Sequence, residues 1–279
     1  MIPQETRLGT VTLLVQDLAL LTRFYTEVLR FSTLSQTGGR VILGHTGKPL
    51  LILIKGPGLP FADPHEAGLY HIAFLYSSGG LLARTLQSVL AKAPGLFQGA
   101  SDHLVSQAFY LTDPEGNGVE LYLDRPRSEW KISGGHIEMG SLPINLDSFL
   151  SVNGYLPDTG HITVGHIHLR IGNIEEARSF YGEVLGFDEV MTMPSALFIS
   201  AGGYHHHIGL NTWESAGAGK RIPSLGLEHF QIIVPTIPDI HGIKSHLAAK
   251  DVPYSEDTNL TFIDPWGITI EVAAEEASL

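Results

Sequence analysis

The chain has 279 residues, 43% of them hydrophobic, enough to bury one large core or two ordinary ones, and two domains is the default expectation. It contains no cysteine, which excludes disulfides, thiolate metal sites and a cysteine nucleophile, so any metal must sit on nitrogen and oxygen. A formal charge of -12 with 17 Lys and Arg disfavours nucleic acid and anionic membranes and leaves a neutral small molecule as the better partner.

The first ten residues carry no apolar signal core, and no apolar run approaches membrane-spanning length, so a soluble cytoplasmic protein is expected. Histidine is abundant, 14 residues against 17 Lys and Arg, and imidazole is the commonest protein metal ligand.

Taken in chain order, the elements repeat. Residues 9–31, GTVTLLVQDLALLTRFYTEVLRF, align without a gap to residues 165–187, GHIHLRIGNIEEARSFYGEVLGF. Both read strand, helix, turn: alternation over His166 to Ile171 suits a half-buried strand, and the Ile174, Ala177, Phe180, Tyr181, Val184 spacing suits one helix face. Residues 68–75, GLYHIAFL, correspond to 226–233, GLEHFQII, each followed by a helical stretch, 79–92 or 238–249. Both then reach an Asp-Pro-x-Gly turn between strands, LTDPEGNGVELYL (111–123) and FIDPWGITIEV (262–272).

The sequence therefore divides into four βαβββ modules, 7–55, 68–124, 162–212 and 226–274. Modules one and two give a first domain, 7–124, and modules three and four a second, 162–274. The link 125–161, with its Gly and Pro, joins them and carries a short helix at Asn145 to Val152.

Four βαβββ modules with GHIHL, FYxEVLGF and DPxGNxxE strings resemble the vicinal oxygen chelate superfamily of glyoxalase I, bleomycin-resistance proteins and extradiol dioxygenases. The likeness spans nearly the whole chain. It implies an α+β fold of two cup-shaped sheet domains. DHLVSQAFYLTDPEGNGVELYLDRP (102–126) and GGYHHHIGL (202–210) resemble, within it, the extradiol enzymes that open catechols beside the diol.

The resemblance implies a metal held by one histidine from each of two first strands and a glutamate from a last strand. That face suits Fe(II), with Mn(II) as the alternative, and leaves sites open for an aromatic diol and O2. The first-strand positions are Thr10, His71, His166 and His229, and the last-strand carboxylates are Glu120 and Glu271. The family pattern also sets a tyrosine ten residues before the glutamate and a histidine seventeen before it. Tyr110 and His103 satisfy this for Glu120, whereas Thr261 and Tyr254 stand before Glu271.

Module two thus carries His71, His103, Tyr110 and Glu120, and module three carries His166 with His207 at the position of the family's acid/base histidine. A crossed arrangement follows, modules two and three facing each other across the metal and modules one and four forming a second cup. The usual pairing, with His166, His229 and Glu271 as ligands, is the alternative. His166 and His207 belong to both arrangements, and His207 would accept a catechol proton and later return it; in the crossed arrangement Tyr110 and His103 would hold substrate oxygens.

Other residues have plainer expected roles. Alternation along GGYHHHIGL puts His205 and His207 on one face and His206 outside. His168 shares the face of His166 and would be a ligand if the register shifted. His229 and Glu271 are expected as relics held by hydrogen bonds. Asp113 and Asp264 cap their turns, and the Phe-Tyr pairs are core. A lactoylglutathione-type isomerase, or a non-catalytic ligand-binding protein of the bleomycin-resistance kind, stays open as a second function, and a homo-oligomer is compatible with the sequence.

Overall fold

The structure is a computed structural model that describes residues 2–134 and 136–275; Met1 and Gly135, counted above in the N-terminus and the link, lie outside the described residues. Module one runs β1 (Arg7–Val15), α1 (Leu18–Arg23), β2 (Ser32–Thr37), β3 (Arg40–His45) and β4 (Lys48–Lys55). Module two runs β5 (Gly68–Tyr76), α2 (Gly79–Lys92), β6 (Phe97–Asp102), β7 (Ser106–Thr112) and β8 (Gly118–Asp124). The link holds β9 (Ile132–Ser133), β10 (His136–Ile137), β11 (Leu142–Pro143) and α3 (Leu146–Asn153). Asn145 caps α3, its side chain accepting from Ser148 N at 2.9 Å, so the short helix forms where it was expected.

Module three runs β12 (Ile162–Arg170), α4 (Ile174–Ala177), β13 (Asp188–Met193), β14 (Ala196–Ser200) and β15 (Ile208–Asn211). Module four runs β16 (Gly226–Val234), α5 (Ile237–Ala249), β17 (Tyr254–Glu256), β18 (Leu260–Ile263) and β19 (Thr269–Ala274). The fold is α+β, with two mixed sheets and few helices. One mixed sheet has the order β17-β18-β19-β16-β1-β4-β3-β2 and the other β11-β6-β7-β8-β5-β12-β15-β14-β13, while β9 and β10 pair separately as a two-stranded antiparallel sheet. Modules one and four therefore share a sheet, as do modules two and three.

The repeated FYxEVL helices depart from simple α geometry in the same way twice. α1 and α4 widen into π turns at Phe24–Val28 and Arg178–Val184, where Leu29 N donates to Phe24 O at 3.2 Å and Leu185 N to Phe180 O at 3.1 Å. Each ends on a left-handed residue, Gly186 (φ 87°) in module three but Arg30 (φ 66°) in module one, where the Cβ makes that conformation costly.

Compact packing divides the chain into two units: residues 14–57 with 71–165, and residues 2–13, 58–70 and 166–275. In the first unit, Tyr25 from module one's helix is fully buried and its hydroxyl donates to Asp113 Oδ2 of module two's turn at 3.1 Å. In the second, Tyr181 of module three donates to Asp264 Oδ2 of module four at 2.9 Å. Asp113 Oδ1 also accepts from Glu115 N (2.9 Å) and Asn117 N (3.0 Å), and Asp264 Oδ1 from Trp266 N (2.9 Å) and Ile268 N (2.8 Å). The turn carboxylates thus cap backbone as expected, and in addition fasten one module to the next in sequence. Burial pushes both carboxyls up to about 6 despite those hydrogen bonds.

One departure bears on the site. Strand alternation was expected through His205, His206 and His207, but β15 begins at Ile208. Gly202 (φ 62°) and Gly203 (φ 63°) turn the chain in the left-handed region, and Tyr204 N donates back to Ala201 O at 3.3 Å. His205 and His206 follow this turn outside the ladder, which His207 enters by donating to Ile199 O at 2.8 Å and accepting from Ile167 N at 3.1 Å, so alternation does not decide which way His205 and His206 face.

Candidate active site

Glu120 and His71 meet because of strand register. β5 pairs in parallel with β8, Ala73 opposite Glu120 and His71 opposite Gly118, which puts the His71 and Glu120 side chains on one face. His71 Nε2 lies 3.0 Å from Glu120 Oε2, and both side chains are buried. β7 pairs with β8 on its other edge, Tyr110 opposite Glu120, so the phenol joins that face with its ring centroid 5.8 Å from that of His71.

His103 comes from the tight connection between β6 and β7, where Leu104 is left-handed (φ 71°) and Leu104 N donates to Asp102 Oδ1 at 2.9 Å. Its Nδ1 is 2.7 Å from Gly140 O and its Nε2 2.6 Å from Tyr110 Oη. A carbonyl can only accept, so Nδ1 carries the hydrogen, and in the neutral ring Nε2 accepts from the Tyr110 hydroxyl. The link thus orients the histidine, through a glycine carbonyl that no sequence motif marks.

His166 lies on β12, immediately after Gly165. A Cβ at Gly165 would fall 1.7 Å from Tyr122 Oη and 3.0 Å from Leu75 Cβ, so the repeated glycine is needed for β12 to lie so close to those side chains. His166 is 2% exposed, and the His206 ring is 4.1 Å from it, centroid to centroid. His205 Nδ1 and His206 Nδ1 are 2.8 Å apart, one donating to the other. His206 therefore packs on His166, contrary to the expectation that it lies outside; the turn at Gly202 and Gly203 is the reason.

His207 is buried, and its Nδ1 accepts from Ala201 N at 3.2 Å. A ring nitrogen that accepts from a backbone N–H carries no hydrogen, so neutral His207 holds its proton on Nε2. His168 does not join the metal-ligand group of His71, Glu120 and His166; its Nε2 is 3.0 Å from Asn211 Nδ2, which donates to it.

Among the described residues, the ligand atoms of His71, Glu120 and His166 form a group of His, Asp and Glu close enough to hold a metal, all lying within 4.8 Å of one another and all buried. His229 and Glu271 do not join His166. His229 instead meets Thr12 Oγ1 at 3.0 Å and Glu228 Oε2 at 2.9 Å, with Glu271 Oε1 3.7 Å away. The module-one partner is Thr12, two residues beyond Thr10. The hydrogen bond from His229 holds the Glu228 carboxyl below its ordinary range.

The Glyoxalase/Bleomycin resistance protein/Dioxygenase superfamily profile matches residues 7–121 and 163–272, and the chain belongs to that superfamily. It is 35% identical over 271 residues to the catechol-2,3-dioxygenase of Bacillus subtilis (strain 168), with 94% of each chain covered, which marks it as an enzyme, an oxidoreductase of the dioxygenase kind. It is 29% identical over 126 residues to biphenyl-2,3-diol 1,2-dioxygenase 3 of Rhodococcus globerulus, covering 42% of this chain and 63% of that one. Among solved structures, one from Bacillus subtilis subsp. subtilis str. 168 superposes with TM-score 0.66 at 14% identity, covering 99% of this chain and 86% of that one. Glyoxalase I from Zea mays follows the same fold, with TM-score 0.60, 13% identity and coverages of 98% and 94%. No helix among the described residues is long and apolar enough to cross a membrane.

Proposed function

We propose that the chain is an extradiol ring-cleaving dioxygenase that opens a catechol-type diol with O2 at a mononuclear Fe(II) held by His71, Glu120 and His166, within domains 7–124 and 162–274. The observation that carries this reading is the gathering of those three buried ligand atoms within 4.8 Å. The donor set fits the group: a carboxylate 2% exposed among buried imidazoles is costly without a cation to share, and two histidines with one carboxylate suit Fe(II), with Mn(II) as a substitute. When bound, the iron supplies Lewis acidity, an anchor for both diol oxygens and a place for O2.

The remaining roles belong to the chain's own side chains. Tyr110, beside Glu120 on the same face, gives its hydroxyl hydrogen to His103, which Gly140 O fixes, and so presents its oxygen as an acceptor for a substrate hydroxyl. Proton transfer is better suited to His206 than to His207. The hydrogen between His205 Nδ1 and His206 Nδ1 can sit on either ring, so His206 Nε2 can accept or donate, whereas His207 has Nδ1 tied to a backbone N–H.

The test is turnover of catechol by the Fe(II)-loaded protein under ¹⁸O2, read by mass spectrometry. Both labelled atoms are expected in a ring-opened semialdehyde. Oxygen consumption that leaves the product unlabelled, or no turnover with Fe(II) alongside isomerase activity with Ni(II) or Zn(II), contradicts it.

A further inference from the structure

The link does not simply run on from β8; it returns to β6. Where it begins, Arg125 Nη2 donates to Asp102 Oδ2 at 2.5 Å and Arg125 N to Val105 O at 2.8 Å. Further on, β11 pairs antiparallel with β6, Leu142 opposite Asp102 and Pro143 opposite Ser101. Hydrophobic burial does not explain why so short a strand docks, since Ser141 and Pro143 are exposed and Leu142 is 51% exposed. Its contacts are polar instead. Ser101 is buried, and its Oγ lies 2.7 Å from Ser141 Oγ and donates to Leu142 O at 3.4 Å. Those bonds satisfy a hydroxyl that has little access to water.

The same segment acts on His103. Gly140 N donates to His103 O at 3.3 Å while His103 Nδ1 donates to Gly140 O at 2.7 Å, so backbone and ring are held reciprocally. The chain passes close over the β6–β7 turn there: a Cβ at Gly140 would press on Leu104 Cδ1 at 3.3 Å. On its other side His103 Nε2 is 2.6 Å from Tyr110 Oη. With the ring hydrogen drawn to Nδ1 by the carbonyl, neutral His103 accepts from Tyr110 and leaves the phenol oxygen as an acceptor. Released from Gly140 O, the ring can carry its hydrogen on Nε2 and donate to Tyr110, which reverses the chain. Where segment 140–143 lies therefore decides which way Tyr110 hydrogen-bonds.

We propose that Ser101 and Ser141 are positioning residues: their contact straps segment 140–143 to β6, and the strap, acting through His103, fixes the hydrogen-bond direction of Tyr110. For its effect on turnover the inference rests on the diol-cleaving reading, which it deepens by adding two serines that touch neither the metal ligands nor Tyr110. The tautomer of His103 is the property that a purely structural clasp would not set.

The test reads that tautomer first. ¹⁵N spectra of histidine-labelled, full-length protein without iron are recorded in mildly alkaline solution, where an ordinary imidazole is neutral, with His103→Gln to assign the signal. Wild-type His103 should be the Nδ1–H form. Ser101→Ala and Ser141→Ala should give a mixture of tautomers, and Ser141→Thr, which keeps the hydroxyl at an exposed position, should give the wild-type form. Loaded with Fe(II), both alanine variants should keep their iron and lose about threefold to tenfold in kcat, the scale of one neutral hydrogen bond, and Ser141→Thr should recover it. An Nε2–H ring in the wild type, an unchanged tautomer in both alanine variants, or a mixture that leaves kcat unchanged in an active enzyme overturns the proposal. A mixture in the alanine variants when the wild type opens no diol upholds the strap and removes the dioxygenase reading instead.

Discussion

The Nε2 atom of His71 lies 3.0 Å from the Oε2 atom of Glu120, both side chains buried on one face of two parallel strands. Glu120 is the carboxylate that accompanies Tyr110 and His103, and Glu271 is not so accompanied. Glu120→Ala should therefore abolish binding of one Fe(II) per chain, read by metal analysis after gel filtration, while Glu271→Ala should bind it normally. An empty Glu271→Ala protein would return the ligand role to the usual pairing with His229.

The histidines of the 205–207 turn make separate predictions. His206→Phe should slow diol turnover by about 10²–10⁴-fold, the range for a general acid/base, and leave the iron bound. His207→Phe loses the acceptor for Ala201 N and should destabilise the turn, with a smaller loss of turnover per folded, iron-loaded molecule. The reverse ranking, with iron retained in both, would give the proton to His207.

Asp113 and Asp264 predict an unusual pH dependence of stability. Both carboxyls bind a proton more tightly in the folded chain, at about 6, than in the unfolded chain, near 3.9. Their contribution is thus full below about pH 4 and is lost as pH rises through 6, about 3 kcal/mol for each group. In urea unfolding between pH 4.5 and 7, Asp113→Asn should be less stable than the wild type at the acid end, because it loses acceptors for Tyr25 and Asn117, yet show a shallower decline with pH. Parallel pH profiles for the two proteins would contradict this.

Gly165 predicts a steric effect next to a metal ligand. A methyl group there meets Tyr122 Oη at 1.7 Å, too close for rotamer adjustment alone. Gly165→Ala should cost about 1–3 kcal/mol by overpacking and weaken iron binding by displacing His166. Wild-type thermal stability and iron affinity in that variant would show that β12 has slack at this point.

Much of this was legible in the sequence because repetition fixes register. The gapless match of 9–31 to 165–187 located strands and helices, and the separations of Tyr110 and His103 from Glu120 pointed to modules two and three, which do share a sheet. Period-2 reasoning failed at His205 and His206 because consecutive left-handed glycines delay β15, a backbone event that side-chain patterning does not report. The anchoring of His103 by Gly140 O was invisible for another reason: a backbone carbonyl in a link leaves no trace in residue type. The aromatic group around His168 was missed because Tyr70, on β5, and Trp213, two residues past the end of β15, are far apart in sequence and match no repeat.

The most direct test of an iron-dependent dioxygenase is the oxidation state at which it works. Two imidazoles and one carboxylate give the metal a single negative charge from the protein, so O2 should react only with the reduced ion. Protein loaded anaerobically with Fe(II) should cleave catechol on admission of air. Peroxide treatment should stop turnover without unfolding the chain, and ascorbate with ferrous iron should restore it, with methionine oxidation monitored as the control. Full catechol cleavage after complete oxidation to Fe(III) would contradict the account.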